Sequence, residues 1–286
     1  MNNAISRRRH LLAACFLSGL TLIACSKKEA PTSTPAASAP AAASRVYAVG
    51  TDAAYAPFES QNEKGEIVGF DIDVVRAVAS KAGIQVKFVN TPWEGIFNAL
   101  NQGDRDILVS AITITDARKQ TMDFSSPYFD AVQLIAVKAD SKVAKFDDLK
   151  TLKVGVQTGT TGDEAVSKLQ GKSSPNIKRF ESTPLALKEL ESGGIDAVVA
   201  DNGVVINYVA NNVGSKFKTV SDTSFAPEQY GLAVKKGNFE LLSKLNQGLA
   251  GIKADGTYDT LFKKYFGTSS GAVGATAATA ASAASK

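Results

Sequence analysis

Histidine is almost missing from this chain: one among 286 residues, His10. Cysteine is nearly as scarce, with only Cys15 and Cys25. His10 and Cys15 both fall in residues 1–24, which read as an export signal. Arg7-Arg8-Arg9 is a basic head, and Leu11 to Ala24 is an apolar run of signal-core length, too short for an ordinary transmembrane span. Once that signal is removed, no histidine is left, and the one remaining thiol, Cys25, stands at the new N-terminus. This excludes Ser-His-Asp and Cys-His catalysis in the body of the protein, and any zinc site built on His or Cys. It also excludes an internal disulfide, although an exported protein is free to form one. A basic stripe is lacking too. The formal charge of +4, less the three signal arginines, leaves +1, so nucleic acid is not an expected partner.

The signal ends in Leu22-Ile23-Ala24-Cys25, which resembles the lipobox of bacterial lipoproteins, with Cys25 as the lipidated residue. Ser6-Arg7-Arg8-Arg9 is also faintly similar to a twin-arginine signal. Residues 25–44 are rich in Ala, Ser, Pro and Thr and read as a flexible tether. Residues 268–286, mostly Ala, Ser, Gly and Thr, read as a disordered tail. Arg45 to Gly267 remains, long enough for two compact lobes.

Within it, strand-like and helical patterns alternate. Strands are expected at Val46–Thr51, Gln85–Asn90 and Asp106–Ser110, with helices at Phe70–Ala82 and Trp93–Gln102 between them. A second unit has strands at Gln133–Lys138, Lys153–Thr158, Ile177–Phe180, Asp196–Asp201 and Tyr230–Lys235. Its helices are expected at Gly162–Leu169, Pro184–Glu191 and Val204–Val213, and Phe239–Ala254 and Tyr258–Phe266 close the chain. This order is an α/β pattern with helices on the faces of parallel sheets. Tyr128–Lys138 and Phe225–Lys235 are extended and apolar at the two ends of the second unit, as expected of two crossover strands.

The stretch Ser110 to Arg118 stands out for chemistry. A buried-looking strand runs into hydroxyls and exposed backbone, then into a single Arg at the start of a helical turn. N–H groups, hydroxyls and a guanidinium fork suit a small carboxylate; a surface Arg on a first helical turn is the plain alternative. Asp201 ends a strand at its carboxyl edge, where open α/β sheets bind ligands, and equally reads as an N-cap. Gly155-x-x-x-Gly159-x-x-Gly162 follows a strand but lacks the Gly-Lys-Ser/Thr ending of a nucleotide loop. Thr160 and Thr161 then begin a helix, where N–H groups favour an anion. Trp93, the only tryptophan, is either a core aromatic or a face for a cation.

Thr51-Asp-Ala-Ala-Tyr-Ala-Pro-Phe-Glu59, Gly69-Phe-Asp-Ile-Asp73, Ile112-Thr-Ile-Thr-Asp-Ala-Arg-Lys119, Asp123-Phe-Ser-Ser-Pro-Tyr128 and Asp255-Gly-Thr-Tyr258 occur in order along the body. Together they resemble the polar amino-acid solute-binding proteins of bacterial ABC importers (solute-binding family 3). Val154 to Gly162 and Phe225 to Gly231 are most similar to arginine/lysine/histidine binders. The resemblance implies an α/β, two-lobed periplasmic-binding-protein fold (type II), each lobe a mostly parallel sheet flanked by helices and joined by two crossover hinge strands. Lobe one would comprise 45–128 plus 230–267, and lobe two 132–227.

It further implies that Arg118 clamps the ligand α-carboxylate, joined from lobe two by Thr161, while Thr113 adds its backbone N–H and hydroxyl to the carboxylate or the ammonium. Ser110 and Ala111 would present backbone carbonyls, and Asp201 would pair with the α-ammonium. Tyr55 and Trp93 would sandwich the ligand side chain. Asp52, with Glu59 as a further candidate, would answer a side-chain cation, and Gln157 would hydrogen-bond it. Glutamine-specific relatives carry Lys and His where this chain has Gln157 and Ala200, a departure that favours a cationic ligand. The implied protein is a periplasmic, membrane-anchored lipoprotein and a monomer. It would need no cofactor or metal, bind a free L-amino acid, preferably a basic one, and deliver it to an ABC permease. A glutamine or broad polar amino-acid binder is the alternative. A cyclohexadienyl-dehydratase-like enzyme is the reading from another class.

Overall fold

The computed structural model describes residues 45–267 apart from 213 and 215. The signal, Cys25, the tether and the C-terminal tail lie outside the described residues.

The chain opens with strand β1 (Val46–Thr51), which is buried only towards its C-terminal end. A small meander follows, β2 (Ala54–Tyr55), β3 (Glu59–Gln61) and β4 (Ile67–Val68). Helix α1 (Phe70–Ala82) buries Ile72, Val75, Val78 and Ala79 and stops at Gly83, which adopts φ 64°. Then come β5 (Gln85–Asn90), α2 (Trp93–Gln102), β6 (Ile107–Leu108), the single turn α3 (Asp116–Lys119) and β7 (Met122–Phe124). β8 (Phe129–Ala131) leads to β9 (Gln133–Lys138) and a 3-10 turn at Phe146–Thr151. The second unit continues through β10 (Val154–Gln157), α4 (Thr161–Gln170), β11 (Ile177–Phe180), α5 (Thr183–Ser192), β12 (Ala197–Asp201), α6 (Asn202–Asn211) and β13 (Phe217–Val220). The chain returns through β14 (Glu228–Tyr230) to β15 (Ala233–Lys235), α7 (Phe239–Ala254) and α8 (Thr257–Phe266).

Two five-stranded sheets result. Their orders are β5-β1-β6-β15-β7 and β11-β10-β12-β9-β13. In each, one strand opposes the other four: β15 in the first and β9 in the second. These are the strands entered directly from the two connections between the lobes. The connections themselves pair antiparallel as β8 with β14, setting Tyr230 opposite Phe129 and Glu228 opposite Ala131. The α/β fold is therefore two sheet-containing lobes joined by a two-stranded ribbon.

Both faces of the second sheet are covered, which is why its strands read as continuous apolar runs. Along β12, Ala197 and Val199 join one core while Val198 and Ala200 join the other. The first lobe packs around aromatic rings: Phe58, Phe70, Phe129, Tyr230, Phe262 and Phe266. Helix α7 lies so close to α1 that a Cβ on Gly248 would sit 2.4 Å from the Val78 carbonyl oxygen.

Two expected strands differ most in extent; Lys153–Thr158 and Asp196–Asp201 lose only terminal residues. β6 is short, but its pairing with β1 is extended on either side by Asp106 N–H to Ala48 O and Val109 N–H to Gly50 O. The run Tyr230–Lys235 is two strands, because the chain passes there from the ribbon to the first sheet; Gly231 N–H instead bonds Ile112 O. Helix α6 starts two residues before the expected Val204, directly after Asp201.

Candidate functional site

The C-terminal ends of β1 and β6 open onto the space between the sheets, and two buried carboxyls fix the backbone there. Ser110 Oγ donates to Glu59 Oε1 at 3.0 Å and accepts from Asp52 N–H at 3.0 Å. Asp71 Oδ2 accepts from Ala111 N–H at 2.8 Å and from the Tyr128 hydroxyl at 2.7 Å. Ala111 is held at φ 46°, a left-handed conformation costly for a side chain with Cβ, so these bonds offset strain. The other two oxygens, Glu59 Oε2 and Asp71 Oδ1, have no other donor. Burial pushes both carboxyls above their ordinary range, Glu59 the further because Asp71 adds its negative charge. One proton shared between them satisfies both. Glu59 thus lies beneath the site rather than in it.

Beyond Ala111 the chain meets the ribbon. Thr113 bridges Tyr230 antiparallel, flanked by Ile114 N–H to Gln229 O and Gly231 N–H to Ile112 O. In that register the N–H and C=O of Thr113 itself face away from Tyr230. Its carbonyl accepts Arg118 Nη1 at 2.9 Å. Arg118 is positioned from below by α3, whose N-cap Thr115 accepts the Arg118 N–H at 3.2 Å. Its guanidinium lies 5.4 Å from the Trp93 ring centre and 5.2 Å from that of Phe97. Burial pulls this guanidinium below its ordinary pKa, opposed by the charges of Glu164, Asp201 and Glu228. It still remains a cation. Among the described residues its guanidinium makes only the hydrogen bond to Thr113 and joins no ion pair. Four donors of the fork are left for something else.

The opposite wall comes from the second lobe. Thr160 caps α4, accepting Asp163 N–H at 3.2 Å, which leaves the N–H groups of Thr161 and Gly162 without intrahelical partners. Gly162 allows this end to press inward: a Cβ there would lie 2.8 Å from Gln133 Oε1 and 3.0 Å from Val199 O. Gln157 is anchored by Nε2 to Glu181 O at 3.0 Å and by Thr183 Oγ1 to its Oε1 at 3.2 Å. Its amide edge also reaches Asp52 Oδ2 at 3.4 Å. Burial raises the Asp52 carboxyl, while bonds from the Trp93 backbone and Gln157 lower it.

Asp201 occupies the N-cap position of α6 but makes no side-chain cap bond. Its Oδ2 instead accepts the hydroxyls of Tyr55 at 3.0 Å and Tyr230 at 2.5 Å, and its Oδ1 accepts Gln133 Nε2. Burial and the nearby Glu228 charge push it up to about 6, against the lowering effect of those three donors.

Asp52, Tyr55, Trp93, Ser110, Ala111, Thr113, Arg118, Gln157, Thr161 and Asp201 line one cavity of about 340 Å³, with Thr160 as the one further residue. A larger, more open groove of about 1390 Å³ shares Thr113 and Thr161 and lies beyond them. It lacks the convergent Arg118, Asp52 and Asp201, so the smaller cavity is the better candidate. Trp93 Nε1–H donates across the gap to Thr158 O at 3.0 Å.

Two residues absent from the sequence-based set belong to this neighbourhood. Glu228 accepts the hydroxyls of Thr113 at 2.5 Å and Thr161 at 2.9 Å through Oε2. Gln133 Nε2 approaches Thr161 Oγ1 at 3.1 Å and Glu228 Oε1 at 3.0 Å as well as Asp201. Neither stands in a pattern that marks it; only the ribbon brings residue 228 beside residues 113 and 161.

Residues 47–268 match the family described as bacterial extracellular solute-binding proteins, family 3. The chain belongs to that family. By that description its members bind solutes outside the cytoplasm, and the relatives that follow are binding proteins, not enzymes. This family 3 chain is 44% identical over 268 residues to the probable histidine-binding protein of Neisseria gonorrhoeae, covering 93% of this chain and 98% of the relative. Among solved structures it is similar to the arginine-, lysine-, histidine-binding protein ArtJ of Geobacillus stearothermophilus. The TM-score is 0.76 at 45% identity, over 79% of this chain and 96% of that one. It is likewise similar to an ancestral arginine-binding protein bound to glutamine, with TM-score 0.73 and 44% identity, over 78% of this chain and 98% of that one. The type II two-lobed architecture expected from the sequence is the fold of these neighbours. No helix among the described residues is long and apolar enough to cross a membrane.

Proposed function

We propose that this solute-binding protein captures a free basic L-amino acid, arginine first, in the cavity between its lobes and hands it to an ABC permease. The carrying observation is the cavity's charge pattern. One buried guanidinium with no ion-pair partner among the described residues faces the same space as the carboxyls of Asp52 and Asp201. An amino acid with a cationic side chain carries the complementary set of one carboxylate and two cations. In this assignment Arg118 takes the α-carboxylate bidentately, joined by the N–H groups of Thr113 and Thr161. Asp201, Ser110 and Ala111 serve the ammonium. Tyr55 and Trp93 flank the side chain, and Asp52 and Gln157 receive its far end.

The histidine-binding relative and the arginine-, lysine-, histidine-binding neighbour support a basic ligand. The glutamine-bound ancestral arginine binder keeps a second reading in view, a glutamine or broad polar amino-acid binder. Gln157 and Ala200 argue against it, since neither places a cation against the ligand's far end. The remaining proposals follow from the N-terminal sequence: export to the periplasm, cleavage before Cys25, and anchoring as a monomeric lipoprotein through that residue. The lobe boundaries proposed are 45–128 plus 230–267 and 132–227.

The test is Trp93 fluorescence on titration with each standard amino acid, since the single tryptophan reports its own cavity. Saturable changes with arginine, lysine or histidine at micromolar concentration are expected, and Arg118→Ala should abolish them. Unchanged affinity in Arg118→Ala would sink the site assignment.

A further inference from the structure

Thr113 and Thr161 stand on opposite walls of the cavity, and each hydroxyl has a single proton to give. Both protons go to the same atom: Glu228 Oε2 accepts from Thr113 Oγ1 at 2.5 Å and from Thr161 Oγ1 at 2.9 Å. An ionised carboxylate oxygen can only accept, so the direction of both bonds is set. The two N–H groups of the Gln133 amide are shared among Asp201 Oδ1, the other oxygen of Glu228 at 3.0 Å and Thr161 Oγ1 at 3.1 Å, which holds the carboxylate in place. Glu228 itself does not line the cavity; it sits behind the two threonines, on β14 of the ribbon.

We infer that Glu228 is a positioning residue that decides which end of the amino acid the two threonine hydroxyls can receive. With their protons turned towards Glu228, Thr113 and Thr161 show the cavity only oxygen lone pairs. They accept N–H groups of the ammonium and cannot donate to the carboxylate. The carboxylate is then held by Arg118 and by the main-chain N–H groups of Thr113 and Thr161 alone. The negative charge of Glu228, one residue-width behind the hydroxyls, acts in the same direction as Asp201. This deepens the amino-acid-binding reading above and rests on it.

The test compares L-arginine with its analogue lacking the α-amino group, 5-guanidinopentanoate, by calorimetry on the whole processed chain. Glu228→Gln keeps the shape and removes the charge and one obligate acceptor. It should weaken L-arginine roughly tenfold or more, the scale of one hydrogen bond to a charged group, and leave the analogue within about threefold. Equal losses for both ligands, or no loss for either, would overturn the role. Thr161→Val supplies an independent readout should Glu228→Gln not fold. It should cost L-arginine affinity and spare the analogue, because the lost hydroxyl had no proton for a carboxylate; a matching loss of the analogue would overturn the inference. Combined, the two substitutions should be non-additive for L-arginine, whereas strict additivity contradicts a shared mechanism. A wild-type chain that binds no amino acid at all refutes both this inference and the reading it rests on. Normal wild-type binding with equal losses for both ligands, or none, in the variants refutes only the role of Glu228.

Discussion

Acidification across the titration of Asp201 should weaken ligand binding by an amount the structure sets. The carboxyl is surrounded by the Tyr55 and Tyr230 hydroxyls, the Gln133 amide and the Glu228 charge, and it stands at about 6 instead of its ordinary 3.8. At 1.36 kcal/mol per unit, ionising it costs roughly 3 kcal/mol more than in the unfolded chain. The folded, ligand-free protein therefore holds an extra proton between about 3.8 and about 6, and this group's contribution to stability falls as pH rises through that window. An arriving ammonium reverses the preference, because it stabilises the ionised form and lowers the pKa. Binding below about 6 must then expel a proton, so affinity drops about tenfold per pH unit down to the pKa of the complex. From about pH 7.5 to about pH 5 the expected loss is roughly tenfold, with close to one proton released per ligand at the lower value. L-Arginine is the right ligand, since none of its own groups titrates there, and residues 45–267 hold no histidine to interfere. Calorimetry in buffers of differing ionisation enthalpy measures both quantities. Affinity that is flat or rises towards about pH 5, with no proton released, would refute the assignment of Asp201 to the ammonium.

Other consequences are equally direct. Arg118→Lys keeps the charge but loses the planar fork, and should weaken L-arginine roughly 10- to 100-fold in calorimetry, the cost of a hydrogen bond to a charged group. Trp93→Phe removes the bond from Nε1 to Thr158 O across the cleft. It should weaken binding by about 1 kcal/mol, roughly fivefold, because closure loses one of its contacts. Gly248→Ala drives a methyl into the Val78 carbonyl and should destabilise the first lobe by about 1–3 kcal/mol in urea denaturation while leaving ligand affinity unchanged.

Much of this arrangement is legible in the sequence. The helices α1, α2 and α7 agree residue for residue with their apolar periodicity, because each faces a continuous core and ends at a glycine or polar residue. The meander β2–β4 was not legible, since strands of two or three residues leave too short a pattern to read. Of the site, the residues with a local signature could be named: Arg118 after a strand and hydroxyls, Asp201 at a strand end, Thr161 at a helix start. Their partners could not. Phe97 carries no mark of a site in the sequence, yet its ring lies against the Arg118 guanidinium. Glu59 reads as a candidate for a cationic side chain, but its oxygens are taken up by Ser110 and the Asp71 carboxyl below the cavity. Glu228 and Gln133 depend on the ribbon pairing of β8 and β14, a contact between segments about a hundred residues apart that no local pattern encodes.

The central claim is that the cavity is built for an amino acid with a cationic side chain. Calorimetric titration of the processed protein with arginine, lysine, histidine, glutamine and glutamate at neutral pH tests it most directly. Arginine or lysine should bind at micromolar strength or tighter, about −8 kcal/mol or better, and glutamine more weakly. Glutamine or glutamate binding far more tightly than either would contradict the charge complementarity of Arg118, Asp201 and Asp52 on which the account stands.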